Sequence, residues 1–172
     1  MTRRYRGPTP LGPEHVVDHF TCRSSEQTDW LRRFARQSAA TGTTKTFVVS
    51  EHGDDRVVAY YAWCMAQLAV EDSPARMRKG AGRYPQPIAL LARLGVDSTH
   101  EGNGLGAGLL ADVITRLLGL DDKIGCRGLL IHAESTDTRS FYLHLVPELE
   151  ASPTDELHLV LLMKDAHRAL HP

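Results

Sequence analysis

A glycine-rich segment at residues 102–108 carries the clearest chemical signal in the chain. An apolar run ends at Val96, and the segment then reads Gly102-Asn103-Gly104-Leu105-Gly106-Ala107-Gly108 before a helical pattern that reaches about Leu120. This order predicts a buried strand, a turn and a helix. The first N–H groups of a helix have no partner inside it, and glycine lets an anion approach the backbone closely. The segment therefore predicts a phosphate-binding turn.

These glycines are compatible with more than one role. Glycine at the start of a helix can serve steric needs alone. Gly102, Gly104 and Ala107 fit the spacing of the dinucleotide fingerprint, with Glu134 as the conceivable ribose ligand. However, five residues lie between Val96 and Gly102, whereas the fingerprint places its glycines in the tight turn itself. A P-loop is excluded because Gly-Lys-Ser and Gly-Lys-Thr do not occur.

A tyrosine in a later predicted helix is the second candidate for chemistry. Ser140-Phe141-Tyr142 follows another buried strand by a few residues. A tyrosine hydroxyl, with a pKa of about 10, can act as a general acid. Aromatic residues on helices more often serve packing, so Tyr142 alone does not establish catalysis.

Metal and thiol chemistry are not expected. His15 and His19 have an i,i+4 spacing, but no third ligand is apparent. Cys22, Cys64 and Cys126 are widely spaced and form no Cys-x-x-Cys pair. This usage indicates reduced thiols in a reducing compartment.

The elements that position these groups follow from apolar periodicity and from turn residues. Residues 1–13 hold three Pro and two Gly and are expected to form an irregular arm, and residues 14–172 a single mixed α/β domain. The expected elements are a short helix at Glu14–His19, a helix at Ser25–Ala39 capped by Ser25, a hairpin of strands at Thr44–Ser50 and Arg56–Leu68, a loop at 69–86, a strand at Ile88–Val96, the helix after the glycines, a strand at Gly128–Ala133, a helix at Thr136–Leu145 and a strand at Leu157–Lys164.

Composition and charge limit the class of protein. The 172 residues are 42% hydrophobic and 24% charged, close to the averages for soluble globular proteins, and no apolar run approaches the roughly 18 residues of a membrane span. The basic N-terminus has no apolar segment behind it, so we expect no secretory signal and a cytoplasmic location. Residues 1–96 carry 14 Lys/Arg against 9 Asp/Glu, and residues 97–172 carry 6 against 12. This asymmetry suggests one face for an anionic partner.

The glycine-rich turn and the later tyrosine resemble the signatures of a known family of enzymes. Val96-Asp97 followed by Glu101–Gly106 resembles motif A (Gln/Arg-x-x-Gly-x-Gly/Ala) of the GNAT N-acetyltransferases, which binds the pyrophosphate of acetyl-CoA. Ser140-Phe141-Tyr142 resembles the family's second signature, in which the tyrosine is the general acid for the departing thiolate. Further segments are similar to one branch, the acetyltransferase toxins of bacterial toxin–antitoxin pairs (TacT/AtaT type): Phe20-Thr21-Cys22, Trp30-Leu31-Arg32-Arg33, Thr44–Val49, Ser152-Pro153-Thr154-Asp155 and Leu157–Asp165.

The resemblance implies a GNAT fold, which is a central mixed, mostly antiparallel sheet flanked by helices. It implies acetyl-CoA as co-substrate, no metal, and acetylation of the α-amine of aminoacyl-tRNA, which blocks translation. It also implies a ribbon-helix-helix antitoxin and a homodimer, and assigns catalysis to Tyr142. The residues that would bind the cofactor are Leu94, Gly95, Val96, Glu101, Gly102, Asn103, Gly104, Leu105, Gly106, Ala107 and Phe141.

The sequence departs from motif A at two positions. Glu101 stands where Gln or Arg is usual, and Asn103 stands where Arg is common. Glu101 places a negative side chain near the phosphates and Asn103 removes a positive one, although the backbone N–H groups still supply the main contacts.

Basic residues fit the expected tRNA substrate, because a polyphosphate is bound mainly by cations. The candidates are Arg32, Arg36, Arg76, Arg78, Lys79, Arg83 and Arg93. Two alternatives stay open: the same fold acetylating a protein N-terminus, a lysine or a small amine, and a catalytically decayed module that binds CoA and a partner.

Overall fold

The structure, a computed structural model, describes residues 4–170. Its strands are β1 (Tyr5–Pro10), β2 (Lys45–Glu51), β3 (Val57–Leu68), β4 (Gln86–Val96), β5 (Gly128–His132), β6 (Glu150–Ala151) and β7 (His158–Leu162). Its α-helices are α1 (Ser25–Arg33), α2 (Ala35–Ala40), α3 (Ala75–Arg78), α4 (Leu105–Leu118), α5 (Thr136–Leu145) and α6 (Met163–Leu170). Short 3-10 turns occupy Val70–Asp72 and Ser98–His100. No helix within residues 4–170 has the length and apolar character needed to cross a bilayer.

The strands form a mixed sheet in the order β1-β2-β3-β4-β5-β7-β6. β2 pairs antiparallel with β1 and with β3, and β7 pairs antiparallel with β5 and with β6. β4 and β5 are parallel and pair over Ala89–Leu91 and Leu129–Ile131. The predicted mixed α/β fold, mostly antiparallel and flanked by helices, is confirmed.

The chain groups into two compact units, the first comprising residues up to 64 together with 92–112 and the second comprising 65–91 and the remainder from 113. The dividing points fall inside β3, β4 and α4. The first unit has its own apolar core of fully buried side chains, among them Phe20, Leu31 and Tyr60. The second unit has a separate core that includes Met77, Ile88, Leu130, Val160 and Leu162.

Helix α1 contributes one face to the first core. Ser24 caps it by accepting a hydrogen bond from the Gln27 N–H at 3.1 Å, one residue earlier than the predicted cap. The indole of Trp30 stacks on the ring of Tyr60 at 6.1 Å between centroids. The single helix predicted over 25–39 is wrong, because the backbone at Phe34, with φ of −118°, interrupts the regular helix and separates α1 from α2.

The irregular arm predicted for residues 1–13 is corrected, since Tyr5–Pro10 forms β1 on the edge of the sheet; residues 1–3 lie outside the described chain. Proline and glycine are tolerated there because only one side of an edge strand must pair, and the ladder with β2 shifts register between Arg6 and Thr9. The predicted helix at Glu14–His19 is also wrong. The Val57 N–H donates to the Val16 carbonyl at 2.9 Å, and Val16 forms an isolated parallel bridge with Arg56.

Two elements near the C-terminus escape the sequence pattern. β6 is only two residues long, and α6 follows β7 without an intervening turn. The strand predicted through Lys164 therefore ends at Leu162, and α6 begins at Met163.

Candidate active site

The turn after β4 is held in place by the carboxylate of Asp97. This buried group accepts hydrogen bonds from the Thr21 N–H at 3.1 Å, the Thr99 N–H at 3.0 Å and the Thr99 hydroxyl at 2.7 Å. Burial opposes ionisation, but these hydrogen bonds outweigh it and hold the pKa of Asp97 below its usual range. Asp97 therefore fixes the path of the chain from the strand into the glycine-rich turn.

The turn itself requires glycine at two positions. Gly102 and Gly104 have φ angles of +80° and +75°, in the left-handed region that side chains disfavour. A Cβ atom at either position would meet no atom within 4 Å. Glycine is therefore favoured by the positive φ angle and not by a lack of space. Helix α4 begins at Leu105, which leaves the N–H groups of its first turn without partners inside the helix. An anion can bind there.

Charged side chains from elsewhere in the first unit surround this turn. Arg4 donates to the side-chain oxygen of Asn103 at 3.3 Å and to Glu51 at 3.0 Å. Arg23 forms an ion pair with Glu101 at 2.8 Å. Neither arginine is predicted from the sequence, because 99 and 78 residues separate them from their partners and no local pattern marks them.

The end of β4 has backbone groups that β5 does not use. The parallel ladder includes Ala89, Leu90 and Leu91 but no described residue beyond Leu91. The Asp97 N–H donates to the Val58 carbonyl at 2.8 Å. Since backbone groups alternate in direction along a strand, those of Leu94 and Val96 point away from β3.

Gly95 lies between these two residues, where an added side chain would be crowded by its neighbours. A Cβ atom there would lie 3.1 Å from the ring of Tyr60 and 3.4 Å from the Cys22 sulfur. Because glycine has no side chain, a cofactor could contact only the backbone of Gly95, and this contact stays a prediction.

Tyr142 lies on α5 in the second unit, and only 4% of it is exposed. Burial, with a smaller contribution from the negative charge of Glu134, raises its pKa well above the usual value. Within residues 4–170, no atom forms a hydrogen bond with its hydroxyl. The adjacent Phe141 is exposed and packs edge-on against the Tyr142 ring, with 5.4 Å between centroids. The phenol is therefore kept protonated and is free to donate to a ligand.

The ends of β5 and β7 bring two imidazoles together. The rings of His132 and His158 stack with centroids 3.9 Å apart. Burial and the neighbouring His158 lower the pKa of His132, which favours its neutral form. Within the described part of the chain, no group of three or more His, Cys, Asp or Glu could hold a metal ion.

The predicted tRNA-binding residues of the first unit all have intramolecular partners. Arg32 donates to the Thr21 hydroxyl at 3.0 Å, and Arg36 donates to the His15 carbonyl at 2.5 Å. Arg93 pairs with Glu26 at 2.6 Å and lies over the ring of Trp30.

In the second unit, some of the predicted tRNA-binding residues form ion pairs or hydrogen bonds with other residues, and others are exposed without an ion pair among residues 4–170. Arg76 pairs with Asp165 at 2.8 Å and with Glu150 at 2.6 Å, and the hydrogen bonds from Arg76 lower the pKa of Asp165. Arg78 donates to the Ser73 carbonyl at 2.9 Å. Lys79 and Arg83 are exposed, and neither forms an ion pair with any residue from 4 to 170. The sequence pattern cannot distinguish these two situations.

Lys79 also lines an open cavity of about 600 Å³. Basic residues dominate its charged lining, with Asp121 as the acidic member; the cations are Arg76, Lys79, Arg127 and Lys164. The cavity provides a basic surface beside the exposed Lys79 side chain.

Comparison with known proteins identifies the family. No protein-family model matches the sequence. The chain is 40% identical over 166 residues to a tRNA-acetylating toxin of Mycobacterium tuberculosis, an alignment that covers 96% of each chain. The structure is similar to AtaT complexed with acetyl-methionyl-tRNAfMet (TM-score 0.82, 18% identity, 91% of this chain and 93% of that one).

It is also similar to a tyrosine-to-phenylalanine mutant of AtaT bound to the C-terminus of the antitoxin AtaR and acetyl-CoA (TM-score 0.78, 17% identity, 95% of this chain and 97% of that one). At these identities the two structures establish the fold alone, whereas the curated relative establishes the family. The resemblance seen in the sequence is confirmed, and the chain belongs to the family of tRNA-acetylating toxins.

Proposed function

We propose that this chain transfers the acetyl group of acetyl-CoA to the α-amine of aminoacyl-tRNA and thereby blocks translation. The observation that carries the proposal is the 40% identity, over 96% of both chains, with a tRNA-acetylating toxin. The geometry of the glycine-rich turn and of Tyr142 supports the same chemistry.

The residues present fit acetyl-CoA. The turn at 102–104 and the start of α4 offer backbone N–H groups suited to a pyrophosphate. The backbone of Leu94 and Val96 offers hydrogen-bonding groups that β5 leaves free, and these suit the amides of a pantetheine arm. Acetyl-CoA, when bound, supplies the activated acetyl thioester.

Tyr142 is the proposed general acid. The neutral amine of the acceptor attacks the acetyl carbon, a C–N bond forms, and the C–S bond breaks. The Tyr142 hydroxyl donates its proton to the departing sulfur, while the proton released by the amine passes to solvent. A raised pKa keeps this hydroxyl protonated at neutral pH, which is the state the step requires. No side chain is assigned as base, because the amine of an aminoacyl ester is less basic than that of lysine.

Binding of tRNA is proposed to rely on exposed cations. Lys79 and Arg83 are the cations of the basic segment that can turn to a phosphate without breaking an ion pair within residues 4–170. Arg76 has a largely structural task, because it neutralises a carboxylate of which 2% is exposed. Alanine at Lys79 or Arg83 should weaken tRNA binding and reduce the slope of log affinity against log salt by about one for each phosphate no longer bound.

The partners follow from the same family. Structural neighbours include AtaT bound to the C-terminus of its antitoxin AtaR. We propose a cognate antitoxin of the ribbon-helix-helix type, a homodimeric toxin and a cytoplasmic location, where charged tRNA is found. Size-exclusion chromatography with light scattering tests the dimer, and co-expression with the neighbouring gene product tests the antitoxin.

The decisive experiment incubates the purified chain with labelled acetyl-CoA and either charged or deacylated tRNA. We expect label on charged tRNA only. Tyr142→Phe should abolish the labelling, and Tyr84→Phe, at a tyrosine that is 78% exposed, should not. Label on peptides or amines in the absence of tRNA would replace the proposed substrate with a protein or small amine. Absence of any turnover, with CoA still bound, would identify a decayed binding module.

A further inference from the structure

Two arginines outside motif A stand where the motif lacks its usual positive charge. Arg4 reaches Asn103, at 3.3 Å from its side-chain oxygen, and Arg23 reaches Glu101 at 2.8 Å. Asn103 and Glu101 are the two positions at which this sequence departs from the motif. Positive charge therefore returns to the same turn from the residue before β1 and from the segment before α1.

We propose that Arg4 and Arg23 bind the phosphate groups of CoA and replace the cations of the motif. This inference rests on the proposed function, because it assigns residues to the donor of that reaction. The ligand chemistry is a phosphate group on CoA, either in the pyrophosphate or at the 3′ position of the ribose.

The ion pairs seen in the structure do not oppose this role. The Arg4 side chain is 57% exposed and that of Arg23 is 85% exposed, so the pairs with Glu51 and Glu101 lie in water and are weak. A phosphate carries more charge than a carboxylate and accepts the planar guanidinium fork in a bidentate manner. Each arginine can therefore exchange its carboxylate partner for a phosphate at little cost.

Further contacts hold the N-terminal strand beside the turn. The Tyr5 hydroxyl and His100 Nδ1 are 3.0 Å apart, and the two rings pack edge-on with 5.8 Å between centroids. The Arg4 guanidinium lies 5.0 Å from the centroid of the Tyr5 ring. The Asn103 amide donates to the His100 carbonyl at 2.9 Å, which links the turn to the residue that Tyr5 contacts. Arg4 is thus kept within reach of the turn.

The electrostatic role of Arg23 differs from that of Arg4. Glu101 places a negative charge one residue before Gly102, which would repel a phosphate at the start of α4. Arg23 lies beside that carboxylate, so its positive charge offsets the repulsion whichever of the two anions it contacts. Loss of Arg23 should therefore cost more affinity than loss of Arg4.

The test is calorimetric titration of acetyl-CoA and of its analogue without the 3′-phosphate. Arg23→Ala should weaken acetyl-CoA binding by about tenfold and Arg4→Ala by about fivefold, as expected for a charge-assisted hydrogen bond partly screened by water. The matched control is Arg6→Ala, two residues further along in β1, where the arginine pairs with Asp55 at 2.5 Å. It should bind acetyl-CoA as the unaltered chain does.

Rescue variants make the result specific. Asn103→Arg in the Arg4→Ala background should restore affinity, because it returns the cation to the motif. Glu101→Gln in the Arg23→Ala background should recover part of the loss. If a variant no longer binds acetyl-CoA more tightly than the analogue without the 3′-phosphate, the replaced arginine binds the 3′-phosphate. If a variant loses the same factor in affinity for both ligands, the replaced arginine binds the pyrophosphate.

The outcomes separate this inference from the proposed function. If the unaltered chain binds acetyl-CoA but both alanine variants bind it equally well, the arginines have no such role. Losses that the rescue variants fail to reduce would also overturn the proposal. If the unaltered chain binds no acetyl-CoA, the proposed function itself fails. Since both side chains are exposed, the thermal unfolding midpoints of the variants should match that of the unaltered chain.

Discussion

The glycine-rich turn and Tyr142 are built on opposite principles. At the turn, two positive φ angles and a helix start present backbone N–H groups, and the nearby side chains are exposed and polar. At Tyr142, a single side-chain hydroxyl lies in a buried environment and has no partner among residues 4–170. The turn can therefore accept changes of side chain that keep its backbone path, whereas the proposed role of Tyr142 depends on one atom.

This contrast explains how the chain can depart from motif A and still keep the conformation of the turn. Glu101 and Asn103 change side chains in the turn, but Gly102 and Gly104 keep the conformation that the N–H groups need. The proposed role of Tyr142 allows no equivalent change, because phenylalanine would fill the same space but lack the hydroxyl proton.

The largest expected effect is that of Tyr142→Phe. General acid catalysis contributes about 10² to 10⁴ in rate, so we expect kcat to fall by about 10³. The dissociation constant of acetyl-CoA should remain the same, because the turn is untouched. Single-turnover kinetics with charged tRNA and calorimetry with acetyl-CoA measure the two quantities. A variant that keeps kcat within about threefold of the unaltered chain would remove Tyr142 from the mechanism, since that difference is far below the general-acid range.

The second effect concerns the conformation of the turn. Gly104→Val forces a β-branched residue to a φ of +75°, at a cost of about 2 kcal/mol in backbone strain. We expect the affinity for acetyl-CoA to fall by about 30-fold, with kcat at saturation nearly unchanged. Gly108→Ala is the matched control, because its Cβ meets no atom within 4 Å and its φ is not positive. It should bind acetyl-CoA normally. Tight binding by the Gly104→Val variant would show that the positive φ is dispensable.

The third effect concerns the hydrogen bonds that the Asp97 carboxylate accepts from Thr21 and Thr99. Asp97→Asn removes the charge that receives hydrogen bonds from Thr21 and Thr99 and should lower the free energy of unfolding by about 1 to 2 kcal/mol at pH 7. The folded pKa of Asp97 is depressed, so its contribution is complete above the unfolded pKa of about 3.9 and is lost as pH falls through the folded value. Urea unfolding at pH 7 and pH 3 tests this. The two proteins should differ less at the lower pH, and a constant difference would contradict the assignment.

The sequence predicts the elements whose ends carry local signals. Helix α5 has the predicted bounds because Ser135 caps it, accepting from the Thr138 N–H at 3.2 Å. The glycine-rich turn was recognisable because Gly102 and Gly104 meet a backbone requirement within a few residues. By contrast, β1 pairs with a strand some forty residues away, and no local pattern indicates that pairing.

Side-chain charges were the least predictable part of the site. Arg76 and Lys79 look alike in the sequence, but Arg76 is held by Asp165 and Glu150, which lie far along the chain. Lys79 has no ion-pair partner among residues 4–170. A cation that the fold pairs with a buried carboxylate, as it pairs Arg76 with Asp165, is not available to a ligand, and that pairing depends on long-range contacts.

The smallest effect is expected for the Asn103 side chain. Asn103→Ala removes exposed hydrogen bonds to the His100 and Glu101 carbonyls and the hydrogen bond from Arg4, but it leaves Gly102 and Gly104 in place. Exposed hydrogen bonds contribute little net free energy, so we expect the affinity for acetyl-CoA to change by about twofold. Calorimetric titration of acetyl-CoA into the Asn103→Ala and Gly104→Val variants compares the two losses of affinity directly. If Asn103→Ala weakened binding as much as Gly104→Val, the side chain and not the backbone would hold the ligand, and the turn would depend on a single group as Tyr142 does.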